Sequence, residues 1–291
     1  MVLIKKQIKR FLSLLGLYRT KSKWPKITDK MHKYFLKSVK IKTSLETLND
    51  IKRTIREEKR GAYLRFGDGD IYLMRGLDDI LHKANPKIAK EMKQAFSLNI
   101  GELHKALAIH SKLFGFEKGM QEDMHLISDQ NALNYLAVTH KYFNLETIYT
   151  PVALHYLSTF DQDNCMEFLR FLKTYNPIFV GNEKVKIEIV KKLFGEIHVK
   201  TPVSNSYDEI DRIENDLIEL LNMKKNNFQV VVVAMGCPGR ILQKRILKKG
   251  FNVYLFDFGS LLDALNGENS RLWIDIADMR SLQKILTSLK Y

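Results

Sequence analysis

The sequence predicts an α/β fold, a Rossmann-like doubly wound and mainly parallel sheet with a basic helical extension at the N-terminus. From residue 166 onward, short apolar stretches alternate with amphipathic helical stretches, as in successive strand–helix units. The clearest strand, QVVVVAMG at 229–236, is a continuous apolar run, which is typical of a parallel strand covered on both faces. The basic extension is indicated by charge. Residues 1–60 contain 18 Lys+Arg and 5 Asp+Glu, whereas the rest of the chain is nearly neutral.

The extension begins with an amphipathic pattern in residues 1–26, where apolar side chains share one helical arc and lysines share the opposite arc. One interpretation is a helix lying on an anionic membrane surface, with Trp24 as an interfacial anchor. The alternative is a first helix packed on its own domain. The apolar run is too short to span a bilayer, and its lysines disfavour a signal peptide. Because the charge sits on an appendage, the pattern argues against a nucleic-acid-binding protein.

The domain organisation follows from this charge distribution. We predict a membrane-surface helix and linker over residues 1–28 and a single α/β domain over 29–291. The two cysteines, Cys165 and Cys237, lack the spacing of a zinc site or of a disulfide framework. They are compatible with a reducing cytoplasm. The predicted location is therefore cytoplasmic, at the inner face of the cell membrane.

The first half of the domain alternates less regularly than the second. Residues 29–60 are predicted to be helical, 62–66 a strand, GDGD at 67–70 the turn after it, and 86–96 a helix opened by proline. Residues 104–116 fit either a strand or a buried helix, 121–140 fit a helix, and 147–154 fit a short interrupted strand. In the second half, helices are predicted at 167–175, 184–195, 207–223 and 240–250, and strands at 177–181, 196–202, 229–236 and 251–259.

Asp68 and Asp70 follow the first predicted strand, where ligands bind in open parallel sheets. Neighbouring carboxylates repel each other unless a cation or a shared proton relieves them, and hard oxygen ligands suit Mg²⁺ or Mn²⁺. Gly67 and Gly69 allow a tight turn and a close approach of a ligand. The hypothesis is a divalent metal that carries a diphosphate. The alternative is an Asp-Gly turn exposed to solvent.

Three later strand ends also carry polar or glycine-rich sequences, at 180–184, 234–240 and 256–263. In AMGCPGR, Gly236 and Gly239 could present backbone N–H groups to an anion, or could form a plain strand-to-helix turn. In FDFGSLLD, Asp257 and Asp263 are candidates for a general base, a ribose contact or a helix cap. Arg271 is a candidate phosphate contact.

Taken together and in this order, these stretches resemble the glycosyltransferases of the GT-D type. The resemblance covers roughly residues 45–280 and depends mainly on the Arg-Phe-Gly-Asp-Gly-Asp stretch at 65–70. TPVSNSYDEI at 201–210 and DFGSLLD at 257–263 give looser support. Family members usually have glutamate where this sequence has Asp70, and the shorter carboxylate still suits Mg²⁺ or Mn²⁺.

The resemblance implies a bacterial enzyme that transfers a sugar from a nucleotide sugar, most often a UDP-sugar, to a glycan acceptor that can be lipid-linked. It implies metal binding at Asp68 and Asp70. A diphosphate pocket would be shaped by Arg65, Phe66, Gly67 and Gly69, with Gly236 and Gly239 facing the nucleotide or acceptor. Asp263 or Asp257 would be the base. Two other classes stay open: another nucleotide-dependent α/β enzyme, such as an oxidoreductase, and a non-catalytic membrane-surface protein. The missing GxGxxG motif disfavours the oxidoreductase.

Overall fold

A computed structural model describes residues 24–120, 126–224, 227–269, 273–274 and 277–289. Most of the predicted basic helix, together with Arg271, lies outside these residues. Trp24, predicted as a membrane anchor, packs on the domain, and its role at a membrane stays a prediction. Its ring centroid lies 5.8 Å from that of Tyr135 and 6.4 Å from that of Tyr72, and the Arg75 guanidinium lies over its face at 4.1 Å. In the described part of the chain, no helix is both long and apolar enough to cross a membrane.

The core of the fold is a sheet of six strands in which every neighbouring pair is parallel, as the apolar runs predicted. The spatial order is β2-β1-β6-β5-β3-β4. The strands are β1 (Gly61–Phe66), β2 (Glu102–Leu107), β3 (Ile178–Asn182), β4 (His198–Thr201), β5 (Gln229–Ala234) and β6 (Val253–Asp257). Because β6 lies between β1 and β5, the carboxyl ends of these three strands are adjacent.

Helices cover both faces of the sheet, and alternate strand residues point to the two faces. Val231 and Val233 of β5 belong to one apolar core, and Val230 and Val232 belong to the other. The first core is covered by α1 (Asp29–Ser38), α3 (Asp68–Met74), α4 (Pro86–Phe96), α5 (Asp129–Thr139), α9 (Ile210–Met223) and α10 (Pro238–Lys248). The second is covered by α2 (Ser44–Arg56), α6 (Ala153–Phe160), α7 (Gln162–Thr174), α8 (Ile187–Leu193), α11 (Leu261–Leu265) and α12 (Met279–Ser288).

The structure corrects the sequence prediction at two places and resolves it at a third. The GDGD stretch is the start of helix α3 rather than a free turn, because Asp70 accepts a hydrogen bond from the Gly67 N–H at 2.8 Å and so caps the helix. The predicted strand at 147–154 is reduced to two single bridges, at Ile148 and Tyr149, and helix α6 begins at Ala153. The ambiguous segment from residue 104 contributes the edge strand β2.

A buried ion-pair network joins three helices on the first face. Glu91 of α4 lies 2.8 Å from the Lys244 ammonium and 2.6 Å from the Arg245 guanidinium on α10. It also accepts a hydrogen bond from the Tyr207 hydroxyl at 2.8 Å. Burial raises the pKa of Glu91, but the hydrogen bonds from Arg245 and Lys244 lower it more, to about 2. Arg245 also contacts Glu214 of α9 at 2.8 Å, so the network connects α4, α10 and α9.

We expect Glu91→Gln to lower the free energy of unfolding at pH 7 by roughly 2–3 kcal/mol. A carboxyl whose pKa is depressed by folding stabilises the protein above its unfolded pKa, and this contribution disappears as the pH falls toward the folded value. The difference between wild type and variant should therefore shrink between about pH 4.5 and 2. Urea unfolding across this range measures it. Glu219→Gln, at an exposed position of α9, is the control, and equal effects of the two substitutions would contradict the prediction.

Candidate active site

Asp68 and Asp70 lie in the first turn of α3, and their carboxylates point in different directions. Asp70 is buried, whereas Asp68 is exposed and accepts a hydrogen bond from the Gly69 N–H at 2.8 Å. In an α-helix, residues two apart differ by about 200° around the axis, so their side chains do not face each other. The local helix therefore sends one carboxylate toward the interior and leaves the other in solvent.

Four charged side chains meet beneath the carboxyl ends of β1, β6 and β5, and we call them the arginine–aspartate cluster. Its members are Arg65 of β1, Asp70 of α3, Arg240 of α10 and Asp257 at the end of β6. The Arg240 guanidinium lies 2.8 Å from the Asp257 carboxylate and 3.4 Å from that of Asp70. Arg65 lies 3.4 Å from Asp257 on its other side. The cluster thus balances two positive and two negative charges, with each side chain no more than 13% exposed.

Arg240 occupies an unusual position for a cation. It is the third residue of α10, close to the positive end of the helix dipole, where basic residues are disfavoured. Its guanidinium is held there by the carbonyl of Gly236, to which it donates at 2.7 Å, and by the carbonyl of Arg65. Asp70 and Asp257 compensate the remaining charge and raise the pKa of Arg240 despite its burial. The surrounding loops therefore hold the guanidinium in one orientation.

The ionisation of Asp70 is finely balanced. Burial raises its pKa to about 6, although Arg240 and the Gly67 N–H favour the charged form and act in the opposite direction. Its Oδ1 atom is buried without a hydrogen-bond partner. The nearest cation to this oxygen is the Arg240 guanidinium, whose Nε atom lies 3.4 Å from it.

The glycines predicted to bind the ligand surround these charged groups, but Phe66 does not. Gly67 caps α3, and a Cβ on Gly69 would lie 3.0 Å from the Cys237 sulfur. Phe66 is fully buried and stacks on Phe96 with ring centroids 4.0 Å apart. Phe66 therefore supports the site through the core, and its ring has no exposed face for a cofactor.

The remaining predicted residues follow β5 and β6. Gly236 has a positive φ of 67° and faces His82, whereas Gly239 packs over Val233 in the first turn of α10. Asp257 belongs to the arginine–aspartate cluster. Asp263 is half-buried on α11 and is not a member of this cluster.

Sequence reasoning missed the partners that the fold brings to this site. In the sequence, Arg240 is the last residue of the glycine-containing stretch AMGCPGR and was not predicted as a site residue. A basic residue so close to a helix N-terminus is the one feature that could have identified it. Asp79 and His82, from the loop after α3, also lie beside Gly69 and Gly236. Cys237, whose sequence spacing indicated no zinc site, donates its thiol to Asp79 at 3.0 Å. Burial raises the pKa of this thiol well above its ordinary value.

Comparison with known proteins places this arrangement in a family. A family model described as the glycosyltransferase GT-D fold matches residues 63–262. This range begins in β1 and ends in α11, so it includes the whole arginine–aspartate cluster. No curated protein matches the chain.

Three solved structures share the fold. One is described as the highly conserved domain of unknown function 1792 with a distinct glycosyltransferase fold; it is 19% identical, has a TM-score of 0.55, and aligns over 80% of this chain and 82% of that one. A selenomethionine structure of the same domain is 19% identical, with a TM-score of 0.57 over 86% of each chain. The third, described as a new glycosyltransferase from Streptococcus sanguinis, is 17% identical, with a TM-score of 0.54 over 76% of this chain and 81% of that one.

The fold likeness and the family match agree with the six-stranded parallel sheet. The family match extends over more than half of the sequence. The chain therefore belongs to the glycosyltransferases of the GT-D fold.

Proposed function

We propose that this glycosyltransferase transfers a sugar from a UDP-sugar to a surface-glycan acceptor, and that Asp68 and Asp70 hold Mn²⁺ or Mg²⁺ for the donor diphosphate. The observation that carries the proposal is the convergence of β1, β6 and β5 on one charged cluster at the edge of the sheet where open α/β sheets bind ligands. A nucleotide-sugar donor and a glycan acceptor follow in general terms from the family. The uridine and the metal are the specific parts of the proposal.

Asp68 fits a hard divalent cation directly, because its carboxylate is exposed. The Asp70 carboxylate is buried, points away from that of Asp68 and has its Oδ1 atom 3.4 Å from the Arg240 guanidinium, so binding through both residues requires Asp70 to turn outward. Mg²⁺ and Mn²⁺ are commonly held by one or two carboxylates and complete their coordination with water and substrate phosphates. Bound there, the ion would supply charge stabilisation for a departing nucleoside diphosphate. The Asp68 carboxylate, being at the surface, would contact the ion without losing an existing ion pair.

The two predicted bases differ in their surroundings. Asp257 is buried between the guanidinium groups of Arg65 and Arg240, which lie 3.4 and 2.8 Å from its carboxylate, so both of its oxygens face an arginine and not an acceptor hydroxyl. Its role in the proposal is to position these two arginines, which then present positive charge to the donor diphosphate. Asp263 is left as the proposed base for an acceptor hydroxyl.

The proposed acceptor is lipid-linked because the excess positive charge is concentrated in residues 1–60. A basic segment is attracted to anionic lipid, by about 1 kcal/mol for each Lys or Arg close to the surface. The proposal therefore places the enzyme on the inner face of the membrane through residues 1–26, where donor and acceptor would meet.

We expect Asp68→Ala to weaken UDP binding in the presence of Mn²⁺ by at least about tenfold, or roughly 1.4 kcal/mol. The reason is the loss of the exposed metal ligand, and the fold should be unaffected because this carboxylate is at the surface. Calorimetric titration of UDP, with and without Mn²⁺, measures the effect.

Asp163→Ala is the matched control, since Asp163 is another exposed carboxylate in the first turn of a helix. It should bind UDP like wild type. Nucleotide binding that ignores both Mn²⁺ and Asp68→Ala would refute the metal role. Binding of NAD in place of UDP would favour the oxidoreductase alternative. Failure to bind any nucleotide, together with retained binding to anionic vesicles, would favour a non-catalytic surface protein.

A further inference from the structure

Three side chains of different chemistry meet behind the first turn of α3, and we call them the Asp79–His82–Cys237 cluster. His82 Nδ1 and Cys237 Sγ each lie 3.0 Å from Asp79 Oδ2. One donor atom from each residue lies within 4.8 Å of the other two, and no other group of three or more His, Cys, Asp or Glu converges in this way among the residues that the structure describes. Carboxylate, imidazole and thiol are all zinc ligands.

Backbone N–H groups orient the carboxylate of Asp79. Its Oδ1 atom accepts the N–H groups of Leu81 and His82 at 2.6 and 2.5 Å, which fixes the orientation of the carboxylate. Its other oxygen, Oδ2, is thereby turned toward the imidazole and the thiol.

Contacts on both sides orient the His82 ring. Its Nδ1 atom lies 3.0 Å from Asp79 Oδ2 and 3.2 Å from Asp79 Oδ1, and its Nε2 atom lies 3.4 Å from the Ser206 hydroxyl. The Ser206 hydroxyl in turn donates to the Met235 carbonyl at 3.2 Å. The ring is therefore fixed with Nδ1 toward the Asp79 carboxylate, and a polar partner at the other ring nitrogen is typical of a metal-binding histidine.

We propose that the Asp79–His82–Cys237 cluster binds Zn²⁺ through Asp79 Oδ2, His82 Nδ1 and Cys237 Sγ, with water in a fourth position. The charges balance in the bound state, because a thiolate and a carboxylate together match the charge of Zn²⁺ and the imidazole is neutral. Binding releases the thiol proton and leaves no net charge in a buried place. The thiolate and imidazole ligands favour Zn²⁺ over Mg²⁺ or Mn²⁺.

At the location of the cluster, a bound ion would have a structural role. A Cβ on Gly69 would lie 3.0 Å from the Cys237 sulfur and 3.2 Å from Asp79 Oδ2, and one on Gly236 would lie 3.1 Å from the His82 ring. The ion would therefore fasten the loop after α3 to the loop after β5, directly against the turn that carries Asp68 and Asp70. It is a positioning site with a thiolate and an imidazole among its ligands. It uses different residues from the oxygen pair of the proposed function, although Cys237 also faces Asp70, and it does not depend on that function.

The test is a titration of the chelator-treated full chain with Co²⁺ alone, followed by competition with Zn²⁺. We expect one equivalent of Co²⁺ to produce a thiolate-to-cobalt charge-transfer band that Zn²⁺ abolishes. Cys237→Ser should remove the band and weaken Zn²⁺ binding by more than roughly 100-fold, the upper range for loss of an outer-shell partner. Cys165→Ala, which removes the other cysteine, should keep both the band and the affinity.

A wild-type protein that gives no thiolate band and binds no Zn²⁺ would overturn the proposal, as would an unchanged band in Cys237→Ser. Proton release gives a second measurement on the wild type alone, in case Cys237→Ser does not fold. Calorimetry of Zn²⁺ in two buffers should show at least one proton released per ion, from the thiol, and no release would contradict the site. Asp68→Ala should bind Zn²⁺ normally, so the failure of this proposal and that of the Mn²⁺ proposal can be told apart.

Discussion

Arg240→Ala is expected to lower the free energy of unfolding at pH 7 by about 3–5 kcal/mol and to abolish transferase activity. The substitution leaves the carboxylates of Asp70 and Asp257 buried without the cation that lies 3.4 and 2.8 Å from them. It also frees the carbonyls of Arg65 and Gly236 that the guanidinium now satisfies. Urea unfolding gives the stability, and sugar transfer or donor hydrolysis gives the activity.

The stability loss should depend on pH in a defined direction. Because folding raises the pKa of Asp70 to about 6, its protonated form stabilises the fold at low pH, and this contribution is lost as the pH rises through that value. Without Arg240 the pKa rises further, so the difference from wild type should be larger at pH 8 than at pH 5. Arg212→Ala is the control, because this arginine pairs with Glu209 and Asp216 on the surface and should cost less than about 1 kcal/mol. Similar losses for the two arginines would contradict the role assigned to the buried cluster.

Gly259→Ala is expected to displace Arg65 from Asp257 and to reduce nucleotide binding by at least about tenfold. Gly259 follows β6 with a positive φ of 72°, and a Cβ there would lie 1.5 Å from Arg65 Nη1. The side chain of Arg65 cannot remain in place at such a distance, so its ion pair with Asp257 must break. We expect a stability loss of more than about 2 kcal/mol, because the loss of one of the two ion pairs of Asp257 adds to a backbone strain of about 1–2 kcal/mol, while Arg240 stays 2.8 Å from Asp257.

Gly267→Ala is the control that distinguishes the clash with Arg65 from the backbone strain of a positive φ. Gly267 has a similar positive φ of 86°, but a Cβ at this position would meet no atom within 4 Å. Its substitution should cost only the backbone term, about 1–2 kcal/mol, and should leave nucleotide binding unchanged. Comparable losses of nucleotide affinity in both alanine variants would show that the contact between Gly259 and Arg65 does not matter for the site.

Much of the fold was predictable from local patterns. The valine run of β5 indicated a strand buried on both faces, and the structure places its alternate residues in two separate cores. Pro86, predicted to open a helix, stands in the first turn of α4. Each of these features depends on a single strand or a single helix turn. The order of residues within that segment is therefore enough to predict it.

The sequence also identified two of the four members of the charged cluster through their position after strands. Asp70 follows β1 and Asp257 ends β6, and both were selected because ligands collect at the carboxyl ends of parallel strands. Arg65 was predicted through the family resemblance. The directions of the Asp68 and Asp70 side chains were not predictable, because the pattern GDGD favours a turn. In the structure the capping contact between Asp70 and Gly67 starts a helix, and the two carboxylates of that helix diverge.

By itself, then, the sequence determined the α/β class, the strand–helix alternation of the second half of the chain and the strand ends that carry chemistry. The tertiary structure alone decided which of those ends meet. Arg240 reaches Asp70, about 170 residues away in the chain, only because β6 is inserted between β1 and β5. Strand order depends on how whole helices and strands pack together, and no window of local periodicity contains that information. The same holds for Asp79, His82 and Cys237, which come from two distant loops and share a site only after the sheet has formed.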